Sequence, residues 1–216
     1  MKYKALIFDM DGTLVHNMHF HNQAWKDTLA EAGVQIDVDE FHRSTSGKTT
    51  SEILHRFLGS QLSDKEVDYW AQRKEALYRE RYICCREPLP GLLALLEQAR
   101  ALGLPMAVAT AAPPANIAFV LDELDLRRHF DAVIGGHQIQ RGKPDPEIFL
   151  KAAEAMGVAP AACLVFEDAL GGIEAARRAG MQAVMILTTM SAQDVAGMPH
   201  VLLAVPDFTH FDLTSL

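Results

Sequence analysis

The chain has 216 residues, of which 49% are apolar, and it carries a formal net charge of -8 at pH 7. This length and apolar content are sufficient for one large domain, or for a domain with an inserted module, and they argue against disorder over most of the chain. The acidic charge, without any run of Lys and Arg, argues against nucleic acid as a partner.

The first predicted element is a buried strand at residues 5–8, which runs directly into Asp9-Met10-Asp11-Gly12-Thr13. A continuous apolar run favours a parallel strand covered on both faces, and α/β sheets place their chemistry where such strands end. Asp9 and Asp11 are costly to desolvate together, so a cation or a shared proton must offset their charge, and a hard divalent cation such as Mg²⁺ is the simplest solution. The structural alternative is an Asp-rich turn, since Asp-Gly is a common turn signal. No apolar segment with a small-residue cleavage site precedes the strand, so no secretory signal is predicted.

Residues 16–86 show a polar, helical pattern with few strand-like runs. Apolar stripes such as the one formed by Ile53, Leu54 and Phe57 recur at helical spacing. We therefore predict a small all-helical module. Because it is inserted shortly after Asp11, this module is positioned to cover a site at the end of the first strand.

From residue 87 onward, strands and helices alternate, which implies parallel βα units. Helices are predicted at 92–102, after Pro114, at 146–156 and at 173–179. Strands are predicted at 106–109, 132–134, 163–166, 183–187 and, as an edge strand, 201–204. The first strand has no sheet partner in the helical module, so it must join these later strands. The expected fold is a parallel-sheet α/β core of residues 1–15 and 87–216, interrupted by the helical module.

The sequence also bears on location. Residues 101–121 carry no charge, but Gly103 and Pro105 interrupt them, so strand, turn and helix are predicted here instead of a membrane span. Cys84, Cys85 and Cys163 match neither a disulfide framework nor a zinc spacing. We expect a soluble protein of the reducing cytoplasm, either a monomer or a weak homodimer.

Polar side chains follow successive core strands. Asp9 follows the first strand, Thr110 the second, Lys143 lies in the Pro-rich loop after the third, and Glu167-Asp168 follows the fourth. Each has an ordinary explanation: Thr often ends strands, Lys in such a loop is usually solvated, and acids favour helix N-termini. These separate explanations do not account for the occurrence of all these residues at successive strand ends. Their joint occurrence indicates a phosphoryl-transfer site.

This order of motifs resembles the haloacid dehalogenase-like hydrolase superfamily. The supporting stretches are Phe8-Asp9-Met10-Asp11-Gly12-Thr13-Leu14, Gly142-Lys143-Pro144-Asp145-Pro146 and Phe166-Glu167-Asp168-Ala169, and the match covers nearly the whole chain. A helical insertion after the first motif is similar to the cap of the β-phosphoglucomutase-like branch. The resemblance implies a Rossmann-like core and a helical cap at residues 16–86.

The resemblance also implies roles, which the chemistry of the residues supports. Asp9 would attack phosphorus and form an aspartyl-phosphate, while Asp11 would protonate the leaving oxygen and later activate water. Lys143 would balance the charge of the nucleophile, and Thr110 would donate to a phosphoryl oxygen. The implied cofactor is Mg²⁺, with the ligand set Asp9, Asp11, Glu167 and Asp168.

The same branch suggests a set of substrate-contacting positions: His21, Gly47, Lys48, Thr50, Lys74, Ala111 and Asn116. Several neighbouring positions depart from the mutase pattern. Thr50 stands where the mutase has a phosphate-binding arginine, Ser46 replaces a lysine, and Pro113 lies in a stretch that replaces Ser-Lys-Asn. A mutase must bind both phosphates of a bisphosphate, and these changes weaken the contacts to the second phosphate.

The first functional hypothesis is therefore an Mg²⁺-dependent phosphatase acting on a small phosphate ester, in particular a sugar phosphate. A phosphotransferase of the β-phosphoglucomutase kind and an inorganic pyrophosphatase are the alternatives within the same branch. A phospho-receiver module also uses Asp, Thr, Lys and an acidic pair. In receivers, however, the acidic pair comes first and no helical cap follows.

Overall fold

The computed structural model describes residues 2–45 and 49–215, but not the side chains of Asp39, His42, Arg43 and Ser215. The chain divides into two compact units: Met1–His16 together with Glu87–Leu216, here called the sheet unit, and Asn17–Arg86, here called the helical unit. Of the predicted substrate positions, Gly47 and Lys48 lie outside the described residues, as does Ser46.

The helical unit contains four α-helices in the part of it that the structure describes: α1 (Met18–Glu31), α2 (Val38–Thr45), α3 (Thr50–Leu58) and α4 (Asp64–Tyr82). Two of them begin with a capping box, Thr49 with Glu52 at α3 and Ser63 with Glu66 at α4. In this arrangement the cap hydroxyl and the acid each satisfy an N–H group that the helix leaves unpaired. The apolar stripes meet in a core that includes Trp25.

The sheet unit is built on six parallel strands: β1 (Ala5–Phe8), β2 (Met106–Ala109), β3 (Ala132–Ile134), β4 (Cys163–Glu167), β5 (Gln182–Ile186) and β6 (Val201–Val205). Its helices are α5 (Leu92–Ala101), α6 (Pro114–Leu121), α7 (Glu147–Ala155) and α8 (Leu170–Arg178). The predicted α/β class with a parallel sheet is confirmed, and no predicted strand end is more than one residue from its observed position. Helix α8 begins three residues before its predicted start, because Gly171 and Gly172 are helical despite their low propensity.

The strand order is β3-β2-β1-β4-β5-β6, which places the first strand of the chain at the centre of the sheet. Phe8 pairs with Val108 on one side and with Phe166 on the other. From β1 the chain builds outward to β3, then returns to add β4, β5 and β6 on the opposite side. Open α/β sheets have their binding crevice at such a reversal, outside the carboxyl ends of the strands. The topology therefore directs attention to the residues that follow β1 and β4.

Both faces of the central strands are buried. On one face, Ile7 and Val165 belong to a large apolar core that also contains Phe149 from α7 and Ile173 from α8. On the other face, Phe8 stacks on Phe166 with ring centroids 4.6 Å apart. This two-sided packing explains why the central strands are continuous apolar runs, and it holds the residues at their ends on a rigid base.

Candidate active site

Three carboxylates meet where β1 and β4 end. Asp9 follows β1, Glu167 is the last residue of β4 and Asp168 comes next; all three are buried, and one oxygen of each lies within 4.8 Å of the others. The main chain fixes this geometry, because the N–H of Asp9 donates to the carbonyl of Phe166 at 3.0 Å. Three buried carboxylates this close to one another require a cationic partner.

Lys143 supplies one such partner. Its Nζ lies 2.5 Å from Oδ1 of Asp9 and 2.7 Å from Oε2 of Glu167, so it bridges the two strand ends. The loop that carries Lys143 is held at its base by Glu147, whose carboxylate accepts hydrogen bonds from the N–H groups of Gln140 and Arg141 at 3.0 to 3.1 Å. The predicted loop lysine is thus largely buried and anchored, in contrast to the solvated alternative.

The electrostatics of the cluster follow from burial. Burial raises the pKa of Asp9 to about 8 against the opposing attraction of Lys143, while Glu167 and Asp11 add to the increase. Burial, followed by the charges of Glu167 and Asp9, also raises the pKa of Asp168 well above its usual range. Burial lowers the pKa of Lys143, but the two carboxylates that it contacts outweigh this effect and raise it. Lys143 therefore stays charged, and the three acids, when ionised, carry more negative charge than it neutralises.

The turn after β1 is packed tightly against the acidic pair. Gly12 has φ +85°, and a Cβ there would lie 2.2 Å from Oδ2 of Asp168. The N–H of Gly12 donates to the carbonyl of Val15 at 2.9 Å, so this N–H is used within the turn. Asp11 lies in the same turn, half-buried, and forms an isolated bridge with Val15. Only glycine combines this left-handed backbone with such a close approach.

Two threonines that were not among the predicted site residues tie the loops together. The hydroxyl of Thr188 donates to the carbonyl of Gly12 at 2.5 Å, and that of Thr189 donates to the carbonyl of Asp168 at 2.6 Å. They follow β5 shortly after its last residue. The rule that polar residues follow core strands, applied to β5, would have singled them out.

Thr110 follows β2, the neighbour of β1 on the other side, and is buried. Its Oγ1 accepts a hydrogen bond from the N–H of Ala112 at 3.1 Å. The adjacent Ala111 is exposed, and its carbonyl is so close to Gly136 that a Cβ on that glycine would lie 2.3 Å away. Asn116 is buried in α6. The second motif therefore sits in a closely packed loop at the same edge of the sheet as Asp9.

The predicted substrate positions in the helical unit form a separate group. His21 and Lys74 are buried, and Nζ of Lys74 lies 2.8 Å from Nδ1 of His21 and 2.9 Å from Oε1 of Glu75. The His21 ring also stacks on Tyr78, with centroids 3.7 Å apart. Thr50 is half-buried at the start of α3. The helical unit thus brings His21 and Lys74 into direct contact, next to the aromatic ring of Tyr78.

The fold and the carboxylate–lysine cluster define a class of protein, and comparison with known proteins identifies it. The family model described as haloacid dehalogenase-like hydrolase matches residues 3–180. The chain belongs to this family, as the motif resemblance predicted.

In the described residues, no helix is both long enough and apolar enough to cross a membrane.

Individual relatives narrow the class to phosphatases. The chain is 37% identical over 183 residues to fructose-1-phosphate phosphatase YqaB of Escherichia coli (strain K12), covering 85% of this chain and 96% of that protein. It is 31% identical to a phosphorylated carbohydrates phosphatase of Thermotoga maritima, covering 84% and 83%. Among solved structures, β-phosphoglucomutase from Clostridium difficile superposes with a TM-score of 0.85 at 26% identity, covering 99% and 95%. The predicted branch of the superfamily is confirmed by these relatives.

Proposed function

We propose that this enzyme is an Mg²⁺-dependent phosphatase that hydrolyses a small sugar phosphate through an aspartyl-phosphate on Asp9. The observation that carries the proposal is the buried contact of Asp9 with Lys143 at the end of the central strand. A carboxylate fixed in this way has one oxygen bound to a cation, and its other oxygen can attack phosphorus. Relatives named as phosphatases of phosphorylated carbohydrates support the reaction class.

The proposed reaction has two steps. In the first, a carboxylate oxygen of Asp9 bonds to phosphorus, the bond from phosphorus to the leaving oxygen breaks, and Asp11 gives that oxygen its proton. In the second, Asp11 takes a proton from water, the water oxygen attacks phosphorus, and the bond to Asp9 breaks to release inorganic phosphate. Lys143 keeps Asp9 positioned, and Thr110 donates to a phosphoryl oxygen in both steps.

The residues present fit a magnesium ion. Three buried carboxylates within 4.8 Å of one another offer only oxygen ligands, and a single lysine does not balance their charge. We propose that Asp9, Glu167 and Asp168 hold the ion with the main-chain carbonyl of Asp11. When bound, Mg²⁺ would supply positive charge that stabilises the transferring phosphoryl group.

We assign substrate selection to the helical unit, acting as a cap through His21 and Lys74. The buried ammonium group of Lys74 would donate a charge-assisted hydrogen bond to a phosphate-bearing substrate and so strengthen its binding. The similarity to β-phosphoglucomutase keeps a mutase as the second candidate. The departures at Thr50 and Pro113 favour hydrolysis, because they remove groups that would hold the second phosphate of a bisphosphate. We expect the enzyme to work in the cytoplasm, where its three thiols stay reduced.

The decisive experiment follows phosphate release from a panel of sugar phosphates and pyrophosphate, with Mg²⁺ and with excess chelator. We expect Mg²⁺-dependent phosphate release and no turnover by Asp9→Asn, because an amide cannot accept the phosphoryl group. On β-glucose 1-phosphate with trace glucose 1,6-bisphosphate, phosphate release should outrun formation of glucose 6-phosphate. Faster isomerisation would select the mutase instead, and full activity in chelator would remove the metal from the proposal.

A further inference from the structure

We infer that Gly172 is a positioning residue that leaves the space in which the Glu167 carboxylate reaches Lys143. Gly172 is buried in the first turn of α8. A Cβ at this position would lie 2.0 Å from Cδ of Glu167, 2.1 Å from Oε2 and 2.4 Å from Cγ. No side chain tolerates such distances, so any residue other than glycine would have to displace the acid.

The Glu167 carboxylate has little freedom to move aside. The side chain is 2% exposed, its Oε2 accepts from Nζ of Lys143 at 2.7 Å, and its Oε1 accepts from the N–H of Ala169 at 3.1 Å. Both oxygens are therefore committed, and the atom that a Cβ would meet at 2.1 Å is the one that contacts Lys143. Displacement of Glu167 would break this contact and leave Lys143 with Asp9 alone.

Backbone conformation does not explain the glycine. Gly172 is not among the glycines with positive φ, and it lies within a regular helix, where alanine is the better residue. The neighbouring Gly171 in the same helical turn has nothing within 4 Å of an added Cβ. The two adjacent glycines thus form a matched pair, one that borders Glu167 and one that borders open space.

The consequence for catalysis rests on the proposed function, in which Glu167 is a metal ligand. A methyl group at Gly172 would act on the metal site only through Glu167, so removing the acid should remove its effect. Glu167→Ala removes Cγ, Cδ and Oε2, the three atoms that the added Cβ would meet. The variants Gly172→Ala, Gly171→Ala, Glu167→Ala and the double variant Glu167→Ala/Gly172→Ala form a test of this coupling.

The experiment measures Mg²⁺ affinity by calorimetric titration and the thermal unfolding temperature without metal, using the full-length chain. We expect Gly172→Ala to bind Mg²⁺ at least tenfold more weakly than wild type and to unfold at a lower temperature. We expect Gly171→Ala to stay within twofold of the wild-type affinity. The double variant should match Glu167→Ala within twofold in affinity, and its unfolding temperature should equal or exceed that of Gly172→Ala.

Three outcomes would overturn the inference: equal effects of the two glycine substitutions, a full tenfold loss from Gly172→Ala in the Glu167→Ala background, or a double variant that does not fold. If Gly172→Ala alone fails to fold while the double variant folds, the inference is supported. The unfolding temperatures require neither metal nor substrate. A wild-type protein that binds no Mg²⁺ would therefore count against the proposed function, while the contact between Gly172 and Glu167 would still be tested.

Discussion

Replacement of Lys143 by methionine removes the cation that bridges the two central strand ends. The side chain of Lys143 is 13% exposed, and Nζ lies 2.5 Å from Asp9 and 2.7 Å from Glu167. At an effective dielectric constant of about 20, unit charges at such distances attract by roughly 6 kcal/mol per pair. Desolvation of the buried ions offsets several kcal/mol of this attraction. Loss of one partner from a buried ion pair typically costs 3 to 5 kcal/mol, so we expect Lys143→Met to lower the free energy of unfolding by about 3 to 5 kcal/mol in chelator.

The effect should depend on pH with a definite sign. The pKa of Asp9 is about 8 in the folded protein, above the ordinary value of 3.8, so the folded state binds this proton more tightly than the unfolded state does. Ionisation of Asp9 therefore reduces stability as pH rises from about 4 through 8. Without Lys143 the folded pKa rises further, and the destabilisation by Lys143→Met should be larger at pH 8.5 than at pH 5.

Urea unfolding followed by circular dichroism at the two pH values measures both quantities. The control is Lys65→Met, at an exposed position in the first turn of α4, for which we expect a change within about 0.5 kcal/mol. A loss below about 1 kcal/mol at pH 8.5 would contradict a buried ion pair at this position, because removal of one partner from such a pair typically costs about 3 to 5 kcal/mol. Equal losses at the two pH values would refute the assignment of the effect to ionised acids.

Two further measurements address features outside the ion pair. Thr189→Val removes the 2.6 Å hydrogen bond to the carbonyl of Asp168, and we expect the free energy of unfolding to fall by about 1 to 2 kcal/mol, against no change for the exposed Thr209→Val; equal effects would contradict the role of the hydroxyl. Native protein should take up two maleimide labels, at the exposed Cys84 and Cys85, and a third only in urea, because burial raises the pKa of the Cys163 thiol to about 11. Rapid labelling of a third thiol in native protein would contradict the burial.

The sequence was sufficient to predict the sheet because each central strand is covered on both faces. That environment demands unbroken apolar runs such as the one at residues 5–8, and these are visible without a structure. The residues that follow β1, β2 and β4 could be predicted for the same reason, since parallel strands end at a common edge. The contact of Lys143 with both Asp9 and Glu167 confirms that the loop after β3 also reaches this edge.

Contacts between distant segments could not be predicted in the same way. The approach of Gly172 to Glu167 depends on how α8 leaves β4, and no local pattern encodes a distance of 2.0 Å. The capture of the Gln140 and Arg141 N–H groups by Glu147 depends on the path of a loop. In the same region α8 begins three residues before its predicted start, because tertiary packing overrides the low helix propensity of glycine there.

The central position of β1 has a consequence for how the chain acquires its site. Leu6 pairs with Met106 and with Leu164, so the partners of the first strand lie about 100 and about 160 residues further along the chain. During synthesis, Asp9 therefore emerges from the ribosome long before any strand that can pair beside it, and β4 with its acids follows only about 150 residues later. Closure of such long loops must precede the contacts that stabilise them. The nucleophile proposed here is synthesised well before the residues that surround it, and a nascent chain without β4 lacks Glu167 and Asp168, two of the three acids proposed to hold the metal.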